Sequence, residues 1–310
     1  MTTVAAIDCG TNSIRLLIAD VAPDGTLIER DRRMTIVRLG EGVDATGRFS
    51  DGAIERTFAA CDEFALAIRS HEAKHIRFVA TSATRDVENR EEFVEGVKAR
   101  LGCKVDVISG KEEAALSFLG ATSSLKEDFS GPYLVIDIGG GSTEFVVGTD
   151  APDAARSVDI GCVRMTERHL AGDPASAESI EAAITDIDDA ILKASKVVPF
   201  DQAVTVIGLA GSVTTVAAMA LGLDRYDRKA IHGAVISEDS IHRVCERLIH
   251  MTRDQRAALP FMHPGRVDVI GAGSLVLDRI MKFLPQKSLV VSEHDILDGI
   301  AADLVRRKVK

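Results

Sequence analysis

Short apolar runs and longer spaced apolar patterns alternate along the chain. Two of the runs, at residues 4–7 and 133–136, read as strands, and each leads to an aspartate and a glycine-rich turn. The first copy is Asp8-Cys9-Gly10-Thr11-Asn12-Ser13, followed by Ile14-Arg15-Leu16-Leu17-Ile18-Ala19. The second is Asp137-Ile138-Gly139-Gly140-Gly141-Ser142-Thr143-Glu144, followed by Phe145-Val146-Val147-Gly148. Strand, aspartate, glycine turn and strand thus occur twice, which predicts two similar halves. A polar stretch with Gly and Pro near 126–131 predicts the boundary, giving domains 1–126 and 127–310. Ile54, Phe58, Cys61, Ala65 and Ile68 stand at helical spacing and predict a helix over 51–72. Further helices are expected over 90–101 and 111–123, and strands over 75–80 and 104–108. In the second half, Ile180, Ile184, Ile187 and Ile191 mark an amphipathic helix. Strands are expected over 203–207 and 267–270, each followed by glycines and a helix, and over 289–291 before a C-terminal helix. Strands alternating with helices predict an α/β architecture with mixed sheets.

Composition narrows the class. Hydrophobic residues are 46% and charged residues 27% of the 310, so sizeable cores form and disorder is not expected. Aromatics are 4% and Trp is absent, so those cores rest on Ile, Val, Leu and Ala. The five cysteines, Cys9, Cys61, Cys103, Cys162 and Cys245, are odd in number and include no CxxC pair. That predicts reduced, buried thiols in a reducing compartment. No signal segment and no apolar stretch of the ~20 residues a membrane span needs are visible, so the expectation is a cytoplasmic protein without a membrane partner. The net charge of −10 argues against a nucleic-acid partner. It does not exclude a polyanion, provided that Arg, Lys, backbone N–H groups or a metal ion invert the local field.

The two aspartate–glycine turns carry the first candidate chemistry. Small residues let backbone N–H groups approach phosphate oxygens, and Ser or Thr hydroxyls add donors. Neither turn is a Walker A loop, and neither is a dinucleotide fingerprint, because a strand rather than a helix follows. An aspartate at such a strand end suits Mg²⁺ or the orientation of a water. A tight hairpin whose aspartate caps its own backbone fits one such copy equally well; two copies in one chain favour phosphate binding. Gly208-Leu209-Ala210-Gly211-Ser212 and Gly271-Ala272-Gly273-Ser274 are further turns, each expected to open a helix whose N-terminus faces an anion or merely carries a Ser cap. In Ser109-Gly110-Lys111-Glu112-Glu113-Ala114, Ser109 and Glu112 match a capping box. Glu113 lies about 100° further round the helix. It is open either to take a proton from water or to sit solvated in the first turn. Arg85, in Ser82-Ala83-Thr84-Arg85-Asp86, suits a phosphate, or else an ion pair with Asp86 or on the surface. His71 and His75, the pair His294-Asp295 and the basic tail 306–310 carry no metal or RNA assignment.

At these residues the sequence resembles the exopolyphosphatase/guanosine pentaphosphate phosphohydrolase (Ppx/GppA) family. The match also includes Arg266-Val267-Asp268 to Gly273 and spans most of the chain. The resemblance implies two ribonuclease H-like domains of the actin, sugar kinase and heat-shock ATPase superfamily, with an interdomain cleft. It implies Glu113 as general base, Asp137 as a metal- or water-positioning carboxylate and Glu144 as a second essential acid. It implies Gly10, Thr11, Asn12, Ser13, Gly139, Gly140, Gly141 and Ser142 as phosphate loops, Arg85 as a phosphate contact, Gly211 and Ser212 as a third loop, and Asp8 beside Asp137 in the metal site. Mg²⁺ or Mn²⁺ is the implied cofactor and a homodimer the implied assembly. The chain looks like the short, two-domain form. The expected activity is removal of the terminal phosphate of inorganic polyphosphate. Hydrolysis of pppGpp is the alternative, and an actin-like or kinase-type nucleotide binder a further one. With only Tyr133 and Tyr226 plus Phe, platforms for a guanine are sparse, which favours polyphosphate.

Overall fold

The computed structural model describes residues 2–22, 26–85 and 87–306, with side chains through 304. Asp86 and the tail residues Arg307, Lys308, Val309 and Lys310 lie outside the described residues. The chain forms two compact units, Met1–Gly120 with Ile296–Lys310, and Ala121–Asp295.

The first unit holds a five-stranded sheet in the order β3-β2-β1-β4-β5. Its strands are β1 (Thr2–Cys9), β2 (Ser13–Val21), β3 (Leu27–Ile36), β4 (His75–Ala80) and β5 (Val105–Val107). β1, β2 and β3 run antiparallel, whereas β4 and β5 join β1 in parallel. The helices are α1 (Val43–Thr46), α2 (Asp51–Ser70), α3 (Ser82–Arg85), α4 (Arg90–Leu101) and α5 (Gly110–Leu125), with the last helix of the chain, Ile296–Arg306, added from the far end.

Side chains alternate across a strand, so each face of this sheet has its own core. Ala5, Ile7, Cys9, Ile14, Leu16 and Ile18 pack against the side of α2 and α4, with Phe64 and Phe93. Val4, Ala6, Leu17, Ala19 and Val21 form the other core with Leu116 of α5 and with Ile296, Leu297, Ile300 and Ala301 of the last helix. By the same alternation Asp8 and Arg15 share the face of this second core. The expected boundary after 126 is thereby corrected. The division falls inside α5, and the terminal helix returns to the first sheet because its apolar stripe completes that core. A local pattern shows that a helix is amphipathic, not which sheet it covers.

The second unit repeats the wiring with one strand more, in the order β10-β11-β9-β6-β7-β8. Its strands are β6 (Tyr133–Ile138), β7 (Thr143–Gly148), β8 (Pro152–Val158), β9 (Thr205–Leu209), β10 (Val235–Ser237) and β11 (Ser288–Val291). Its helices are α6 (Cys162–His169), α7 (Ala177–Ser195), α8 (Ala210–Ala220), α9 (Arg228–Ile231), α10 (Glu238–His250), α11 (Arg253–Ala257) and α12 (Ile270–Phe283), which makes the terminal helix α13. Leu134, Ile136 and Ile138 enter its large core, and the opposite alternation places Asp137 on the other face of β6.

The expected helices and strands over 51–101 are present, α4 and β4 with the same limits. The expected strand over 267–270 is not one. A 3₁₀ turn at Pro264–Arg266 runs into α12, and Gly271 to Ser274 lie inside the first turns of that helix. They do not form a loop before it. Gly273 is there for space, because a methyl would stand 2.7 Å from Cβ of Ser212 and 3.2 Å from that of Cys162. All five cysteines are free thiols, four buried and Cys103 half-buried.

Candidate active site

The two aspartate–glycine sequences form hairpins of the same build. Ladder pairing closes at Cys9 and Ile14 in one and at Ile138 and Thr143 in the other. In each, the first turn residue bonds across the turn: Gly10 N–H donates to Ser13 O, and Gly139 N–H to Ser142 O, both at 3.0 Å. The turn carbonyls are held inside the protein. Asn12 O accepts from Val37 and Arg38 at 3.1 and 2.9 Å, and Thr11 O from Gly40 at 2.8 Å. Gly139 O and Gly140 O accept from Cys162 and Val163 at 2.9 and 2.8 Å, at the start of α6. Gly141 O accepts from Nε of Arg164 at 2.9 Å. A trans peptide points C=O and N–H in opposite directions. The amides of Asn12 and Ser13, and those of Gly140, Gly141 and Ser142, therefore point away from these anchors, as an anion nest requires. Gly161 permits the second arrangement, since a methyl there would overlap the Gly140–Gly141 peptide.

Three of the hydroxyls expected to bind phosphate, those of Thr11, Ser142 and Ser212, are occupied. Thr11 Oγ1 and Ser82 Oγ bond to each other at 3.0 Å. Ser142 Oγ donates to Glu144 Oε1 at 2.7 Å. Ser212 is buried, hydrogen-bonded to the Cys162 thiol and packed on Gly273. In these turns the hydroxyls fix the turn.

The acids divide in the same way. Asp8 pairs in register with Arg15, and Asp137 with Glu144. Asp8 Oδ2 receives Nη2 and Nε of Arg15 at 2.6 and 3.1 Å, an ion pair with side chains 6% and 21% exposed. The guanidinium offsets the charge of this carboxylate through Oδ2. Across β6 and β7, by contrast, two buried carboxylates oppose each other. Glu144 Oε1 also accepts from Ser157 Oγ at 2.6 Å.

Glu113 stands in the first turn of α5. Ser109 caps this turn, its Oγ accepting from the Glu112 amide at 3.2 Å. The Glu112 carboxylate accepts from Arg77 Nη2 at 2.9 Å. Glu113 is buried and accepts from Arg85 Nη1 at 2.7 Å, and the same nitrogen donates to Ile108 O at 3.3 Å. Arg85 ends α3, whose first residue Ser82 holds Thr11, while Thr81 N–H donates to Cys9 O at 3.2 Å. Within the first unit, therefore, the 10–13 turn, Arg85 and Glu113 form one connected group. Within the second unit, Asp137, Glu144 and the 139–142 turn form another, linked through Cys162 to Ser212. Gly211 lies under the Arg266 guanidinium, where a methyl would stand 2.6 Å from Cζ.

Several of these residues are not singled out by the sequence. Arg15 was visible in principle, as the ladder partner of Asp8 at the offset that separates Asp137 and Glu144. Ser157 and Gly161 carry no local signal, because their partners lie far along the chain, and Arg266 was part of the family match with no role attached. Among the described residues no group of three or more His, Cys, Asp or Glu side chains is placed to hold a metal. His71 lies 3.7 Å from Asp31, and the His294 ring stacks on His232 with centroids 4.9 Å apart. Burial pushes the Cys162 thiol up, which makes a thiolate nucleophile there unsuitable. No helix among the described residues is long and apolar enough to cross a membrane.

The model of the Ppx/GppA phosphatase family matches residues 17–308. A protein named exopolyphosphatase 2, from Mycobacterium tuberculosis, is 48% identical over 316 residues, covering 98% of this chain and 99% of that protein. The crystal structure of an exopolyphosphatase-like protein superposes with a TM-score of 0.95 at 45% identity, covering 99% of this chain and all of that one. A Ppx/GppA family member from Aquifex aeolicus superposes with a TM-score of 0.83 at 30% identity, covering 100% of this chain and 99% of that one.

Proposed function

The chain belongs to the Ppx/GppA phosphatase family, and we propose that within it the protein is an exopolyphosphatase that releases the terminal phosphate of inorganic polyphosphate. The observation that carries this reading is the pair of like hairpins. Each has its carbonyls tied inward and its amides turned outward, which suits a substrate that repeats the same anionic group. In this reading Glu113 takes the proton of the attacking water, whose oxygen forms the new bond to the terminal phosphorus in line with the departing phosphate chain. Arg85 fixes the Glu113 carboxylate and presents the rest of its fork to the terminal phosphate. The amides of the 10–13 and 139–142 turns bind phosphate oxygens, and Gly211 adds the N-terminal amides of α8.

The acids fit a divalent ion unequally. Mg²⁺ is commonly held by one or two carboxylates with waters and substrate phosphates, so Asp137 suffices without a protein cage, while Asp8 is committed to Arg15. Mg²⁺ or Mn²⁺ at Asp137 would offset phosphate charge as it builds during transfer. Glu144, fixed by Ser142 and Ser157, holds the ground beside it. A cytoplasmic protein is supported by the five unpaired cysteines, and a homodimer is the expected assembly, to be read by light scattering. The deciding assay measures phosphate released from polyphosphates of graded length and from pppGpp, with and without Mg²⁺ or Mn²⁺. Metal-dependent release from polyphosphate is expected. Release from pppGpp with none from polyphosphate would replace this substrate.

A further inference from the structure

We infer that α13 is a strut that positions Glu113, so that hydrolysis depends on residues of the terminal helix that touch no phosphate. The inference rests on the reading of Glu113 as the water-activating base. Gly299 of α13 meets α5 backbone to backbone: a methyl there would stand 2.8 Å from the carbonyl carbon of Leu116, and nearer still to its oxygen. Leu116 follows Glu113 by three residues, one turn along the same helix. A side chain in such a contact could swing away, but a helix backbone moves only as a body.

A second link runs through Arg77, whose guanidinium is buried. Its Nη1 bonds Asp303 of α13 at 2.7 Å, its Nη2 bonds Glu112 of α5 at 2.9 Å, and its Nε lies 3.3 Å from Asp106 of β5. One cation thus holds together the terminal helix, the neighbour of Glu113 and a strand end. The strut itself is anchored elsewhere. Arg32 of β3 grips Asp298 at 2.5 Å, and Ile296, Leu297, Ile300 and Ala301 are buried in the sheet's second core. The sheet fixes α13, and α13 fixes how far the first turn of α5 stands from Arg85. Displacement of a catalytic group by about 1 Å is enough to cost about a hundredfold in rate.

The test uses the full chain and steady-state phosphate release from polyphosphate. Gly299→Ala is expected to lower kcat by about 10- to 100-fold with KM within about twofold, because the phosphate-binding turns are untouched. Asp303→Asn keeps the shape of α13 and weakens the Arg77 link. It is expected to lower kcat by about threefold or more, again at constant KM. Ile300→Val removes a buried methyl group from the same helix. It is expected to lower the melting temperature while kcat, measured well below that temperature, stays at the parent value. Wild-type kcat in a folded Gly299→Ala or Asp303→Asn variant overturns the inference, as does a fall in kcat for Ile300→Val in step with lost stability. If Gly299→Ala does not fold, the contrast between Asp303→Asn and Val97→Ala, a destabilising change in α4 on the other face of the sheet, decides. Glu113→Ala, assayed alongside, separates the two claims. If it is inactive while the α13 variants are normal, only the strut fails. If it is fully active, the base assignment fails and the strut with it.

Discussion

At the first hairpin Asp8 faces Arg15; at the second the same two ladder positions hold Asp137 and Glu144. Each turn closes with a bond of 3.0 Å, and at these two ladder positions the difference lies in charge. A like-charged pair across a ladder costs stability, whereas an opposite pair adds to it. The first hairpin is therefore a settled structural element that offers amides. The second retains two acids on one face, the arrangement expected where a cation or a reacting phosphate completes the site. An internal repeat does not imply equal roles. Here one copy carries an ion pair at its ladder positions and the other carries two acids.

The largest expected effect breaks this comparison at its acidic side. Asp137→Asn keeps the shape of the second hairpin and should lower phosphate release by about a thousandfold, with the circular dichroism spectrum unchanged. Activity near the parent's would remove the distinction between the hairpins. Glu113→Ala should follow, losing about a hundredfold or more while remaining folded. Full activity would discard the base. Arg15→Glu makes the first hairpin resemble the second. With Asp8 left buried against a like charge, urea denaturation should show a loss of about 3 kcal/mol. An unchanged midpoint would mean that the Arg15 pair contributes little. Ser157→Ala, which removes one of two hydroxyl donors from Glu144, should cost about 1 kcal/mol and only a few-fold in kcat. The smallest effect is on the thiols. Burial pushes Cys61 up to about 12 and Cys103 up to about 11, so iodoacetamide at pH 8 should leave activity unchanged. Rapid inactivation would place a reactive thiol near the site.

Much of this was legible locally. Unbroken apolar runs marked β1 and β6, and glycine beside aspartate marked their turns. Ser109 announced the start of α5, where its hydroxyl does cap the helix. The edge strand β3 was not legible, because LIERDRRMTI is charged on both faces and its pairing with β2 decides its form. The glycines at 271 and 273 looked like a loop but lie inside α12, where Gly273 marks a close approach to Ser212 and Cys162. The hydroxyls of Thr11, Ser142 and Ser212 looked like phosphate donors. Their partners Ser82, Glu144 and Cys162 are fixed by the fold, and for two of the three lie tens of residues away.

The order of residues by itself determined the two-fold repeat, the positions of the two aspartate–glycine turns and the identity of the acids, because these follow from contacts within a few residues. Only the tertiary structure decided that α13 belongs with the first sheet, that Arg85 meets Glu113 and that Arg15 pairs with Asp8. Those choices depend on which distant surfaces share a core and which opposite charges are buried together. Neither is written in the spacing along the chain.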